Sequence, residues 1–257
     1  MESAAPDRGR LLARIIRIAS ILLGAVSLLA FFAPRGSFSV LRPRYAPLQA
    51  IVWDALLSLV FFLQHSLMIR KSVRGRLERL VRPELFMAVY SILSAVALLG
   101  FVLFWRSSGT TAWQVTGVFE WVVRGLLLIP VAGFAWGVLS LTPFDPFGVL
   151  PISRWLRGRK TPAPLFSIKG PYRWVRHPLY LCMLALIWLD PRPTLESVAC
   201  NVLWTLWIVL GTVWEEKDLV ADFPDSYRRY QKQVPMLVPW RGPLFDRGSR
   251  SRSLGKA

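Results

Sequence analysis

With 257 residues, 54% of them hydrophobic, and a mean hydropathy of +0.42, the chain carries more apolar surface than a soluble domain of this size can bury in one core, so the excess must face lipid. A formal charge of +17 would point to nucleic acid in a soluble protein. Here Lys and Arg punctuate apolar runs, so membrane phospholipid is the expected counter-charge and no nucleic-acid partner is expected. Only Cys182 and Cys200 occur, both within apolar stretches, so neither a disulfide framework nor a metal site is expected.

The first apolar run begins after Arg17 and lacks a small-residue cleavage site before a polar segment, so it reads as a retained helix. Four runs, approximately 15–33, 47–68, 84–105 and 118–141, reach the roughly twenty residues that span a bilayer as a helix. A fifth apolar block, 178–214, is broken by Asp190-Pro191-Arg192-Pro193 and reads as a tight helical hairpin. Its first arm, Pro178 to Leu189, is short for a full span. The expected fold is therefore all-α and polytopic, with four transmembrane helices plus a C-terminal hairpin, five to six spans in all. Placing the N-terminus inside puts 26 of the 32 Lys and Arg in alternate connections on one side, which predicts a bacterial inner-membrane protein with both termini cytoplasmic. Arg124, four residues after Glu120, is expected to pair with it or to snorkel.

The connection from Thr142 to Arg176 holds Pro143, Pro146, Pro151, Pro162, Pro164 and Pro171, a density that favours fixed turns. The chain accordingly divides into a transmembrane region, 1–141, a module at 142–240, and a basic tail, 241–257, expected to be disordered.

The chemistry concentrates in two stretches. Gly170-Pro-Tyr-Arg-Trp-Val-Arg-His-Pro-Leu-Tyr180 runs into the hairpin, with Pro178 at a helix start whose free N–H groups attract an anion beside Arg176 and His177. Trp214-Glu-Glu-Lys-Asp-Leu219 closes the other arm, followed by Phe223, Tyr227, Tyr230 and Val234 at near-helical spacing. The hairpin brings both stretches to one side, so Glu215 and Glu216 are expected to face the Arg176-His177-Pro178 turn across a pocket. Each element alone has an ordinary explanation: topology charge with a helix start, a solvated helix end, or an amphipathic helix at the interface. Their joint order and spacing point instead to a site.

From Gly170 to Pro235 the pattern Gly-x-Tyr-x-x-x-Arg-His-Pro-x-Tyr, hairpin, Glu-Glu-x-x-Leu-x-x-x-Phe-x-x-x-Tyr-x-x-Tyr-x-x-x-Val-Pro resembles the integral-membrane methyltransferases of the isoprenylcysteine carboxyl methyltransferase and phospholipid methyltransferase superfamily. Phe62-Leu-Gln-His-Ser-Leu-Met-Ile-Arg70, Glu84 and Phe144-Asp-Pro-Phe-Gly148 are similar to the bacterial methanethiol S-methyltransferase and NnrU-like branch. The chain departs from that branch at Thr142-Pro143 and Val149-Leu150, where a His before the Phe-Asp and a Gln after the Gly are expected.

The resemblance implies S-adenosyl-L-methionine as cofactor. It would be lined by Tyr172 and Tyr180, with its carboxylate at the His177-Pro178-Leu179 turn and its amino group or ribose at Glu215 and Glu216. It further implies methyl transfer to a small thiol, with methanethiol giving dimethyl sulfide. A thiol attacks as thiolate, so Arg176 as a cation and His65 or His177 as a base are the catalytic candidates. Two alternatives stand beside this: a lipid-like acceptor such as a prenylcysteine carboxylate or a phospholipid amine, and a non-catalytic NnrU-like membrane protein.

Overall fold

Proline at the first helical position sets four of the helix starts in the computed structural model: Pro47, Pro83, Pro178 and Pro224 each open a helix. The structure describes residues 7–41, 44–141, 145–161 and 166–244. Thr142, Pro143, Phe144, Pro162, Pro164 and the tail from 245 onward lie outside these residues. Among the described residues the helices are α1 (Asp7–Phe32), α2 (Pro47–Met68), α3 (Lys71–Leu77), α4 (Pro83–Leu103), α5 (Val118–Leu126), α6 (Leu128–Ser140), α7 (Val149–Leu156), α8 (Pro178–Trp188), α9 (Leu195–Asp222) and α10 (Pro224–Gln233). Among the described residues no strand accompanies them, and the one extended pairing is an isolated bridge between Thr111 and Thr194.

Five segments, Arg8–Phe32, Pro47–Met68, Pro83–Leu103, Val118–Ser140 and Leu195–Asp222, are long and apolar enough to cross a bilayer, with α8 as a shorter apolar helix. Leu22, Leu29, Leu48, Leu128 and Leu139 are exposed along them, as lipid-facing side chains must be. The protein is thus an all-α integral membrane protein. The fourth segment is interrupted at Leu127, because Pro130 removes the N–H that would bond Leu126 and its ring crowds that carbonyl.

The helices divide into two compact units. The first comprises residues up to Glu120, then 145–164 and 190–207. In it α1 packs along α4, and α4 along α2. Trp204, on the first half of α9, is 3% exposed and lies at the centre of an aromatic cluster: it stacks on Phe31 at 4.6 Å and on Phe61 at 5.3 Å, and meets Phe62 edge-on at 4.9 Å. The hairpin turn is stitched to the segment before α5, where Ala112 N–H donates to Pro193, Val115 N–H to Pro191, and Leu195 N–H to Thr110. Arg192 in that turn pairs with Glu120 at 2.7 Å.

Asp145 starts α7 by accepting the N–H groups of Val149 at 2.8 Å and Leu150 at 2.7 Å. The preceding Gly148 has φ 65°, and a Cβ there would collide with the backbone of Met87 and Ala88. Gly158 has a similar φ of 66° with open space around it. Gly158→Ala is therefore expected to cost only the left-handed backbone penalty, about 1–2 kcal/mol. Gly148→Ala adds a backbone collision and should cost at least twice as much, as checked by equilibrium unfolding in mixed micelles; equal costs would mean that the loop before α7 yields freely.

The second unit comprises 121–144, 165–189 and the chain from Ile208. Here α6 packs on α8 through Gly133 and Gly137, at which a Cβ would crowd Cys182 Sγ and Leu179 Cδ2. Small residues at that spacing let two membrane helices approach closely. Tyr227, Tyr230 and Val234 form the core around α10, closed by Phe166, Ile168, Leu219, Val220, Phe223 and Leu244.

Candidate functional site

The candidate site lies in the second unit, where a 3-10 turn, Gly170–Arg173, leads through Arg176 and His177 into α8. The turn is fixed by the segment after α10: Arg176 N–H donates to Pro235 at 2.9 Å, His177 N–H to Met236 at 3.1 Å, and Leu244 N–H to Arg173 at 2.8 Å. Tyr230 adds its hydroxyl to the Tyr172 carbonyl. The chain before α8 and the chain after α10 therefore hold each other by backbone bonds.

Glu216 is the hub of the side chains. Its Oε1 accepts Arg176 Nε at 2.6 Å, His177 Nε2 at 3.1 Å and the Tyr227 hydroxyl at 3.2 Å, while Oε2 accepts Arg176 Nη2 at 3.0 Å and Gln231 Nε2 at 2.9 Å. Arg176 is bidentate, and its remaining Nη1 donates to the carbonyls of Gln231 and Val234. Both side chains of the ion pair are nearly buried, at 10% and 11% exposure. Burial, with the Glu216 charge adding to it, pushes the Tyr227 phenol well above its ordinary range, and burial also raises Tyr230, so both remain protonated donors.

Neighbouring Glu215 points elsewhere. Its Oε2 accepts the Tyr180 hydroxyl at 2.7 Å, and the Tyr180 ring stacks on His177 at 5.5 Å with planes 6° apart. Tyr172 is half-buried, and desolvation followed by the Glu215 charge raises its phenol. Pro178 and Leu179 supply the first turn of α8, the end of a helix at which backbone N–H groups point outward.

The structure thus brings Arg176, His177 and Glu216 into direct contact, and Tyr180 with Glu215. His65 belongs to the first unit, where its Nδ1 lies 3.0 Å from the Tyr90 hydroxyl and 3.2 Å from Ser94 Oγ, with the ring stacked on Phe61 at 5.1 Å. Gln64 beside it contacts Met68 Sδ at 3.7 Å. Sequence reasoning passed over Gln231. It lies one helical turn after Tyr227 on the face of α10 that carries the buried tyrosines, and that spacing is the sign that could have found it.

The architecture defines a polytopic helical membrane protein whose polar site is assembled by a charged turn at the mouth of a helical hairpin. A family model described as NnrU protein matches residues 55–237, and the chain belongs to that family. Similar proteins include a methanethiol S-methyltransferase of Pseudomonas deceptionensis, 33% identical over 195 residues covering 74% of this chain and 73% of the relative. Another methanethiol S-methyltransferase, from Mycobacterium tuberculosis, is 31% identical over 237 residues, 87% of this chain and 97% of the relative. Nurim of Danio rerio is 28% identical over 193 residues, 71% and 67% of the two chains. These relatives agree with the membrane methyltransferase superfamily that Gly170 to Pro235 resembles. No solved structure matches the chain.

Proposed function

We propose that this protein is a methyltransferase that moves the methyl group of S-adenosylmethionine to a small thiol, with methanethiol as the model acceptor. One observation carries the proposal: relatives named methanethiol S-methyltransferase match over most of the chain at about a third identity. The family match also spans both the Arg176-His177-Pro178 turn and Glu215-Glu216.

The residues present fit the cofactor. The first turn of α8 offers N–H donors for its carboxylate, the Glu215 carboxylate suits its ammonium or ribose, and the Tyr172 and Tyr180 rings suit a sulfonium. When bound, the cofactor supplies an electrophilic methyl group; the protein supplies alignment and a dry site. Glu216, Arg176 and His177 act as the frame. Every donor of Arg176 that faces Glu216 or the α10 carbonyls is committed, so we assign it a positioning role and not that of a free cation for the thiolate. The distribution of Lys and Arg supports a bacterial inner membrane with both termini cytoplasmic.

Isothermal titration of S-adenosylmethionine into detergent-purified protein tests the cofactor, and headspace detection of dimethyl sulfide tests the acceptor. Wild type is expected to bind, and Glu215→Gln to bind about tenfold to a hundredfold more weakly, the worth of a charge-assisted hydrogen bond. Folded wild-type protein that binds no cofactor would overturn the proposal in favour of a non-catalytic membrane role; binding with a prenylcysteine or phospholipid amine methylated instead of methanethiol would reassign the acceptor.

A further inference from the structure

We propose that the end of the first unit at which α1 and α4 begin binds the phosphodiester head group of an acidic glycerophospholipid, independently of the methyltransferase reading. Arg10, Arg14 and Arg17 stand at i, i+4 and i+7 on α1 and form one stripe. On one side of that stripe is the packed face of the helix, where Ala13 is fully buried with Leu85, Ala88 and Ile152, and Ser20 bonds the Phe147 carbonyl. On its other side lie Leu11, Ile15 and Ile18, each more than half exposed and suited to an acyl chain.

The packed face carries α7, which extends the charge. Arg17 Nη1 lies 3.5 Å from Ser153 Oγ, and the next residue is Arg154. Arg154 donates from Nη1 to the Lys160 carbonyl at 3.2 Å, while its Nε is buried with no partner. Arg157, Arg159 and Lys160 follow, all exposed. The acidic residue of this connection, Asp145, is consumed in capping α7. Among the described residues no carboxylate lies within ion-pair range of Arg14, Arg17 or Arg154.

Depth selects the ligand. As a helix of 26 residues, α1 is about 39 Å long. That exceeds a hydrocarbon core of roughly 30 Å, so the first two turns project into the head-group layer and Arg14 and Arg17 fall at its boundary with the acyl chains. A guanidinium held there without a carboxylate draws its counter-charge from lipid phosphate. Trp155 at the same level, with Arg82 over its ring at 4.5 Å, matches the amphipathic belt of that boundary.

The test is native mass spectrometry of detergent-purified protein with equal phosphatidylglycerol and phosphatidylcholine. Wild type should retain phosphatidylglycerol preferentially. At about fivefold per guanidinium, Arg14→Gln/Arg17→Gln/Arg154→Gln should weaken retention on the order of a hundredfold. The same three positions changed to Lys should keep most of it, and Arg228→Gln/Arg229→Gln/Lys232→Gln on α10 should keep all of it. Circular dichroism checks that each variant is folded. Equal loss in the α10 variant, equal retention of the two lipids, or displacement by inorganic phosphate alone would each overturn the proposal, the first by showing bulk charge and the last by showing a small-anion site.

Discussion

Glu216→Gln is expected to lower stability by about 3–5 kcal/mol and to abolish cofactor binding, because it leaves Arg176 nearly buried without its counter-charge. The amide also places an NH2 group where Gln231, Tyr227, His177 or Arg176 now donates, so at least one of the five hydrogen bonds becomes a donor–donor contact. Removing both charges together tests the cause. Arg176→Met with Glu216→Leu should be less destabilised than the sum of the single changes, with a coupling of about 2–3 kcal/mol. Full recovery is not expected, since Arg176 also holds the carbonyls of Gln231 and Val234 at the end of α10. Cofactor binding should stay lost in the double variant. Equilibrium unfolding in mixed micelles and isothermal titration measure the two quantities; additive single effects would show that the pair is not the anchor of the turn.

Why Glu216 and not Glu215 takes this place shows where sequence reasoning stops. The residue types and the turn were legible: Pro178 marks the start of α8, the Asp-Pro-Arg-Pro break marks the hairpin, and the two acidic residues close its second arm. Adjacent residues on a helix diverge by about 100°, so one glutamate faces α10 and the other Tyr180. Which one faces α10 is decided by the docking of Tyr227 and Gln231, a contact that local pattern does not contain. The spans themselves were legible from hydrophobic length, although α1 begins at Asp7, well before its apolar run. The buried carboxylates of Asp54 and Glu196 were not singled out from sequence. Asp54 accepts the Arg106 N–H at 3.0 Å, and Glu196 accepts Ser107 Oγ at 2.8 Å and the Ser108 N–H at 3.0 Å. Their partners lie 52 and 88 or more residues away in the chain, so only the folded arrangement makes a buried carboxyl group tolerable there.

Trp204→Ala should be among the most damaging changes in the first unit, at about 3 kcal/mol. Truncating a buried Trp in a water-soluble core costs about 3–5 kcal/mol, part of which is transfer of the ring from water. In a bilayer the unfolded segment keeps its apolar groups in lipid, so the transfer part shrinks and the lost packing remains, which places the cost at the low end of that range. The packing lost is specific: stacking on Phe31 and Phe61, edge contact with Phe62, and a tilted contact with Phe101 at 5.4 Å, which join α1, α2 and α4 to the first half of α9. Trp204 also donates its indole N–H to Ser58 Oγ at 3.0 Å. Trp204→Phe keeps most of the ring contacts and loses that bond, and interhelical hydrogen bonds in membranes average about 0.6 kcal/mol, so its cost should stay near 1 kcal/mol once the smaller ring is included. Unfolding of the two variants in mixed micelles separates packing from hydrogen bonding. If Phe proves as costly as Ala, the indole N–H and Ser58, and not the aromatic cluster, hold α9 against α2.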